Sequence, residues 1–219
     1  MRIGILGGTG PAGRGLAVRL AAAGEHVVLG SRDAERAAGV AAGLVDAWPD
    51  HRLTVTGVAN EACAAADLVV VATPWEGAVS TVRPLAGALA GKVVVSMANA
   101  LVKDGREFLA LIPPRGSVAA TLQAVLPHSL VSASLHHLPA SEMEQLTTPL
   151  AADVLVCSDH VEATRATVAL VDRIDGLRAI DAGSLSQAAA VEAFTAVLIT
   201  VNIRHKVHAA VQLTGFPEA

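Results

Sequence analysis

Short aliphatic runs of strand length alternate with alanine-rich segments of helical length through the first part of this chain. Ile3-Gly4-Ile5-Leu6 reads as a buried strand, and a helical pattern from about Ala12 to Ala23 ends at Gly24. His26-Val27-Val28-Leu29 predicts a second strand, Ala34 to about Val45 a second helix, and Leu53-Thr54-Val55-Thr56 a third strand. The runs Asp67-Leu68-Val69-Val70-Val71-Ala72 and Lys92-Val93-Val94-Val95-Ser96 are apolar on both faces, as central parallel strands must be. Such alternation predicts an α/β fold, a doubly wound Rossmann-type parallel sheet, which Leu130-Val131-Ser132-Ala133 extends.

After Thr147-Thr148-Pro149 the pattern restarts. Val154-Leu155-Val156-Cys157 is a strand, Val161 to Ile174 a helix, Leu177-Arg178-Ala179-Ile180 a strand, and Leu185 to Leu213 a long helix of roughly 40 Å. This divides the chain into a nucleotide-binding domain, residues 1–149, and a small C-terminal α/β domain, residues 150–219, that ends in the long helix. The apolar stretch from Ala188 to Ile203 contains Glu192 and is closed by Arg204, short of the roughly 20 uninterrupted residues of a membrane span. The N-terminal apolar run is broken by Gly7-Gly8-Thr9-Gly10, with no cleavage site after it. A cytoplasmic protein without a membrane partner is expected.

Composition narrows the function. The 219 residues are 53% apolar and 16% charged, which excludes disorder as the bulk state. Sixteen Lys and Arg against twenty Asp and Glu leave a net charge of −4, and aromatics are 2%, so neither a basic nucleic-acid footprint nor a stacking platform is present. Cys63 and Cys157 lie far apart and form no ligand cluster, so no metal site is expected.

The strongest motif is Gly8-Thr9-Gly10-Pro11-Ala12-Gly13, which sits between a predicted strand and a predicted helix. Gly8 suits the tight turn, Gly10 the approach of a pyrophosphate, and Gly13 close helix–strand packing. Pro11 loses nothing in a first helical turn, whose free N–H groups favour an anion. An NAD site would place an acidic residue at the end of the second strand, but this chain has Gly30-Ser31-Arg32, with Arg36 one turn on and Asp33 past the expected place. Two charge-assisted contacts to a 2′-phosphate favour NADP by about two to four orders of magnitude. NADP(H) is therefore the expected nucleotide.

The second substrate is expected beyond the carboxyl ends of the strands. Those ends carry Thr73-Pro74-Trp75, Ser96-Met97-Ala98-Asn99 and Leu135-His136-His137-Leu138-Pro139-Ala140. Thr73 and Pro74 would flank the nicotinamide ribose, and Trp75 either packs over the cofactor or is a core or helix-start residue. His136 and His137 are acid–base candidates in a loop at the expected face. No lysine base stands at a strand end, which suits hydride exchange between two cofactors.

Taken together, Met1 through Gly10, Gly30-Ser31-Arg32, Thr73-Pro74-Trp75-Glu76, Ser134 through Ala140, Asp175-Gly176-Leu177, Asp181-Ala182-Gly183 and Val201-Asn202-Ile203-Arg204 resemble the NADPH-dependent reductases of the deazaflavin coenzyme F420. The resemblance covers essentially the whole chain. It implies a homodimer and a reversible hydride transfer between NADP(H) and F420. It also implies that Thr9, Ser31 and Arg32, helped by Arg36, hold the 2′-phosphate. The loop from His136 through Ala140 would face nicotinamide on one side and deazaflavin on the other, with His136 orienting the second ring. His137 stands where some relatives carry Thr, and Ala189 and Ala193 beside Glu192 where some carry a serine and a basic residue. His205, Lys206 and His208 either bind an anionic tail or complement the helix dipole. Two other readings fit a Rossmann fold: an NADPH-dependent reductase of a flavin, imine or ketone, and a non-catalytic NADP sensor.

Overall fold

The computed structural model describes residues 1–216. Among them are ten strands: β1 (Arg2–Leu6), β2 (His26–Ser31), β3 (Val55–Ala59), β4 (Leu68–Val71), β5 (Val93–Ser96), β6 (Leu101–Asp104), β7 (Glu107–Ala110), β8 (Leu130–Ala133), β9 (Ala152–Ser158) and β10 (Leu177–Asp181). The α-helices are α1 (Pro11–Ala22), α2 (Ala34–Ala47), α3 (Asn60–Cys63), α4 (Trp75–Val82), α5 (Ala86–Leu89), α6 (Val118–Val125), α7 (Ala140–Met143), α8 (Val161–Val171) and α9 (Ala188–His205).

Eight strands form one sheet in the order β10-β9-β8-β5-β4-β1-β2-β3. From β3 to β8 every neighbouring pair is parallel. The chain first runs outward from β1 to β3 and then returns to start again at β4, so the order reverses between β1 and β4. A crevice opens at such a switch point, and here the turns after β1 and β4 border it. Alternation along the strands feeds two cores: Ile3, Ile5, Leu68, Val70 and Val95 face α1, α2 and α8. Leu6, Val69, Val71 and Val94 face α4, α6 and the start of α9.

Four features depart from the sequence-based expectation. The third strand starts at Val55 and continues through Gly57, where an added Cβ would fall 2.1 Å from the Ala37 carbonyl carbon. That glycine allows α2 to pass close over the strand and does not end it. The parallel pair formed by β9 and β10 joins the sheet in reverse, through an antiparallel pairing of Ser132 with Ser158 and Ala133 with Cys157. Residues after Pro149 thus add to the same sheet. The β6–β7 hairpin, absent from the hydrophobic pattern, rests on α9: Thr200 Oγ1 accepts the Phe108 N–H, and Arg204 pairs with Glu107. Finally, the long helix ends at His205, eight residues before Leu213, with Lys206 left-handed at φ 54°.

Asn202 stops that helix, because its Oδ1 accepts the Ala209 N–H at 2.7 Å and turns the chain back. The returning strap lies along β9: Asp153 donates its N–H to the Val211 carbonyl and accepts the Leu213 N–H on its carboxylate. Arg178 grips the same carboxylate at 2.7 and 2.8 Å, holding Asp153 below its ordinary pKa. With its preceding turn, α9 spans 21 residues, and an 18-residue stretch of it has a mean hydropathy of 1.4, long and apolar enough to cross a bilayer. Here it is built into the fold through Glu192, which accepts the N–H groups of Val118 and Ala119 at 2.8 and 3.0 Å.

Candidate functional site

The turn after β1 is shaped by three different glycine requirements. Gly7 takes the left-handed conformation, at φ 66°. Gly8 is crowded instead, since a Cβ there would lie 2.6 Å from Leu29 Cδ2 and 2.8 Å from the Ile5 carbonyl oxygen. At Gly13 it would lie 2.6 Å from the Gly8 Cα, so α1 can start this close only with glycine. Gly10 differs from all of these: nothing lies within 4 Å of its hypothetical Cβ. Thr9 and Gly10 are half-buried, and Pro11 and Ala12 are exposed in the first turn of α1. A bare backbone with free N–H groups at the start of a helix, facing open space, is suited chemically to an anion.

At the end of β2, Ser31 is buried and its Oγ accepts the Asp33 N–H at 3.2 Å. Asp33 in turn caps α2 by accepting the Arg36 N–H at 3.1 Å. Its carboxylate is thus engaged with the helix start and not placed as a ribose acceptor. Arg32 and Arg36 are both exposed, and neither forms an ion pair among the described residues.

Across the switch point, Thr73-Pro74-Trp75 leads from β4 into α4, with Pro74 at its N-cap. Thr73 Oγ1 and Trp75 Nε1 are buried without a hydrogen-bond partner. Beyond β5, Ala98 is packed into the core, whereas Asn99 reaches toward the loop after β8. Asn99 Nδ2 donates to the His136 carbonyl at 3.3 Å, and its Oδ1 accepts from Thr195 Oγ1 at 3.5 Å. Thr195 and Asn202 both lie on α9: Asn202 falls within the Val201–Arg204 stretch that carries the resemblance, whereas no motif singles out Thr195.

The loop after β8 turns on Leu135, a buried residue held at φ 68°. Left-handed backbone costs a non-glycine residue about 1–2 kcal/mol, and such strain persists only where surrounding structure fixes it. The two adjacent histidines then diverge. His137 Nε2 is hydrogen-bonded to the Asp153 carbonyl at 2.9 Å, which ties the loop to β9. His136 is 5% exposed, and neither of its ring nitrogens has a partner. Burial, with a smaller contribution from His137, pushes the His136 pKa down to about 3. The ring is therefore a neutral imidazole, offering one N–H and one lone pair.

His136, His137, Leu138, Pro139 and Ala140 line a cavity of about 660 Å³ together with Ala12, Asn99 and the α9 residues Thr195, Leu198, Ile199 and Asn202. That volume is in the range of small-molecule sites, and its mix of apolar wall with a few polar groups is typical of them. One wall, Ala12, belongs to the first turn of α1, so the glycine turn and the cavity adjoin. The C-terminal strap closes another side, where His208 Nδ1 meets Ser141 Oγ at 3.2 Å. Ser31, Arg32, Arg36 and Thr73-Pro74-Trp75 stand outside this cavity, along the neighbouring strand ends.

Residues 2–100 match the family described as NADP oxidoreductase, coenzyme F420-dependent. The chain is 36% identical to the F420-dependent NADP reductase of Methanocaldococcus jannaschii over 94% of both chains. The chain belongs to this family. It is likewise 34% identical, over the whole of both chains, to the F420-dependent NADP reductase of Methanothermobacter marburgensis. A candidate F420-dependent NADP reductase from Arthrobacter sp. FB24 has the same fold in its crystal structure, with a TM-score of 0.80 at 27% identity, covering 95% of this chain and 96% of that one.

Glu192 and His136 together predict how stability of this family member depends on pH. Burial pushes Glu192 up to about 7, against an ordinary 4.5, despite its two N–H partners. Between those values the folded protein keeps a proton that the unfolded chain has lost, so this contribution falls as pH rises. His136, at about 3 against an ordinary 6.5, is the reverse: its contribution rises with pH across that window. The two oppose each other between pH 4.5 and 6.5. Glu192→Gln should unmask a stability that climbs with pH by up to about 1.4 kcal/mol per unit. Urea unfolding at steps across that window reads the slope, and an unchanged slope would contradict the pairing.

Proposed function

We propose that the crevice holds NADP(H) along the ends of β1, β2 and β4, with coenzyme F420 in the cavity between the His136–Ala140 loop and α9. When bound, the nicotinamide and the deazaflavin supply the redox chemistry, a reversible hydride exchange between nicotinamide C4 and deazaflavin C5. The chain contributes binding, orientation and exclusion of water. The N–H groups of Thr9, Gly10, Ala12 and Gly13 hold the pyrophosphate, while Gly8, whose own N–H is engaged by the Ile5 and Gly30 carbonyls, makes the turn; Pro11 offers none but fixes the helix start. Thr9, Ser31, Arg32 and Arg36 take the 2′-phosphate, and the unpartnered Thr73 hydroxyl faces the nicotinamide ribose beside Pro74 and Trp75. Ala98 and Asn99 support the ring site from β5, and His137, Leu138, Pro139 and Ala140 form the wall between the two rings. His136, neutral with two unpaired nitrogens, orients the deazaflavin through its polar edge and does not serve as an obligatory base.

The adjacency of the α1 first turn and the loop cavity carries this reading, because Ala12 lines the same space as His136. Mixing the protein with NADPH and oxidised F420 tests it, with loss of deazaflavin absorbance expected. NADPH oxidation by an imine, ketone or flavin alone would favour a different reductase. Tight NADPH binding without turnover on any acceptor would favour a sensor.

Residues 150–219 complete this cleft and, in this reading, also supply a homodimer interface in a cytoplasmic protein. The support is an apolar surface on and beside α9: Val197 is 53% exposed, with Phe194, Leu109 and Val102 exposed too. Light scattering should give twice the chain mass, and Val197→Glu should halve it. A wild-type monomer at micromolar concentration would refute the dimer.

A further inference from the structure

Arg19 lies one helical turn beyond Gly15 on the same face of α1, and it is only 8% exposed. Three of its guanidinium N–H groups, one of them shared, meet four backbone carbonyls, all from one segment. Nε reaches Met143 at 3.1 Å, and Nη2 reaches Glu142 at 2.9 Å, Gln145 at 2.5 Å and Thr148 at 2.8 Å. That segment starts in α7, which continues the His136–Ala140 loop without a break. The Glu142 and Gln145 carbonyls already accept the N–H groups of Gln145 and Thr148 in turns, and Arg19 ties these turns to the Met143 and Thr148 carbonyls. Gly15 allows the approach, because a Cβ there would fall 2.6 Å from Met143 Cβ and 3.0 Å from the Ala140 carbonyl oxygen. Arg14, on the neighbouring edge of α1, pairs with Glu144.

The helix that starts at the glycine turn therefore grips the loop that walls the cavity. We propose that Arg19 is a positioning residue for hydride transfer, acting with Gly15 to fix the spacing between the nicotinamide, set by α1, and the His136–Ala140 loop. This rests on the two-cofactor reading of the crevice. Arg19 contacts neither cofactor in this scheme. Its loss should disturb the alignment of the rings and leave the nucleotide's phosphate contacts alone. A lysine cannot replace it, because an ammonium has no planar fork to span several carbonyls.

The test compares wild type with Arg19→Lys, Arg19→Ala and Gly15→Ala. For each variant kcat should fall by about 10- to 100-fold, the scale of a loop displaced by about 1 Å. NADPH dissociation constants should stay within about twofold of wild type, the change at the phosphate contacts being small. Amide exchange should rise in residues 140–148, and added guanidinium ion should restore part of kcat in Arg19→Ala. Unchanged kcat per folded molecule, with only a lower Tm, would reduce Arg19 to a structural role. NADPH affinity falling in step with kcat would assign it to the nucleotide site instead. If wild type fails to reduce F420, the proposed reaction falls by itself. The exchange measurement then still decides the clamp: faster exchange at 140–148 supports it and unchanged exchange overturns it.

Discussion

Arg32→Ala is expected to weaken NADPH binding by about 10- to 100-fold, the value of one charge-assisted contact to a phosphate. NADH binding should stay within about twofold, since NADH has no 2′-phosphate for the guanidinium to meet. The expectation follows from how the end of β2 is arranged. Asp33, the nearest carboxylate in sequence, caps α2, so it does not compete for the ribose. Arg32 and Arg36 are exposed with no ion pair among the described residues, and Ser31 lies beside them. Adding Arg36→Ala should widen the loss toward about two to four orders of magnitude, with salt reducing both effects. Equal losses for the two nucleotides, measured by fluorescence titration, would overturn the assignment.

Gly10→Val should separate binding from folding. Gly10 has φ −79° and ψ 168°, extended backbone that valine adopts readily, and its Cβ would enter open space. Stability of the unliganded protein should fall by no more than about 1 kcal/mol, the range of an N-cap change. NADPH binding should weaken at least about 100-fold, because the side chain occupies the path by which the pyrophosphate approaches the backbone. Gly13→Ala should behave differently. Its Cβ meets the Gly8 backbone on several atoms at 2.6–2.9 Å, so it should lower Tm as well as binding. If Gly10→Val binds NADPH normally, the open space beside that residue is not the nucleotide's.

Much of this organisation is legible in the sequence where local physics governs. The runs Leu68–Val71 and Val93–Ser96 are buried on both faces, so their aliphatic character alone marks them as central strands. The glycine turn is equally plain, although its left-handed residue is Gly7 and not Gly8. What escapes the sequence depends on distant partners. The β6–β7 hairpin is largely exposed and depends on Thr200 and Arg204 of α9, about ninety residues away in the chain, so its own pattern is weak. The end of α9 is set by an asparagine side chain, and an apolar pattern running on through Val211 and Leu213 conceals it. Two adjacent histidines in a loop can be read as a site, but which one is tied down and which keeps both ring nitrogens unpaired depends on the Asp153 carbonyl on β9. Arg19 looks like a surface residue of an alanine-rich helix until α7 is folded against it.

The most direct test uses NADPH carrying deuterium at both nicotinamide C4 positions, with oxidised F420 in ordinary water. If the two rings meet in the crevice beside His136, the reduced deazaflavin should carry one deuterium at C5, undiluted by solvent. Reduced deazaflavin formed without deuterium at that carbon would mean that the two rings do not exchange hydride face to face.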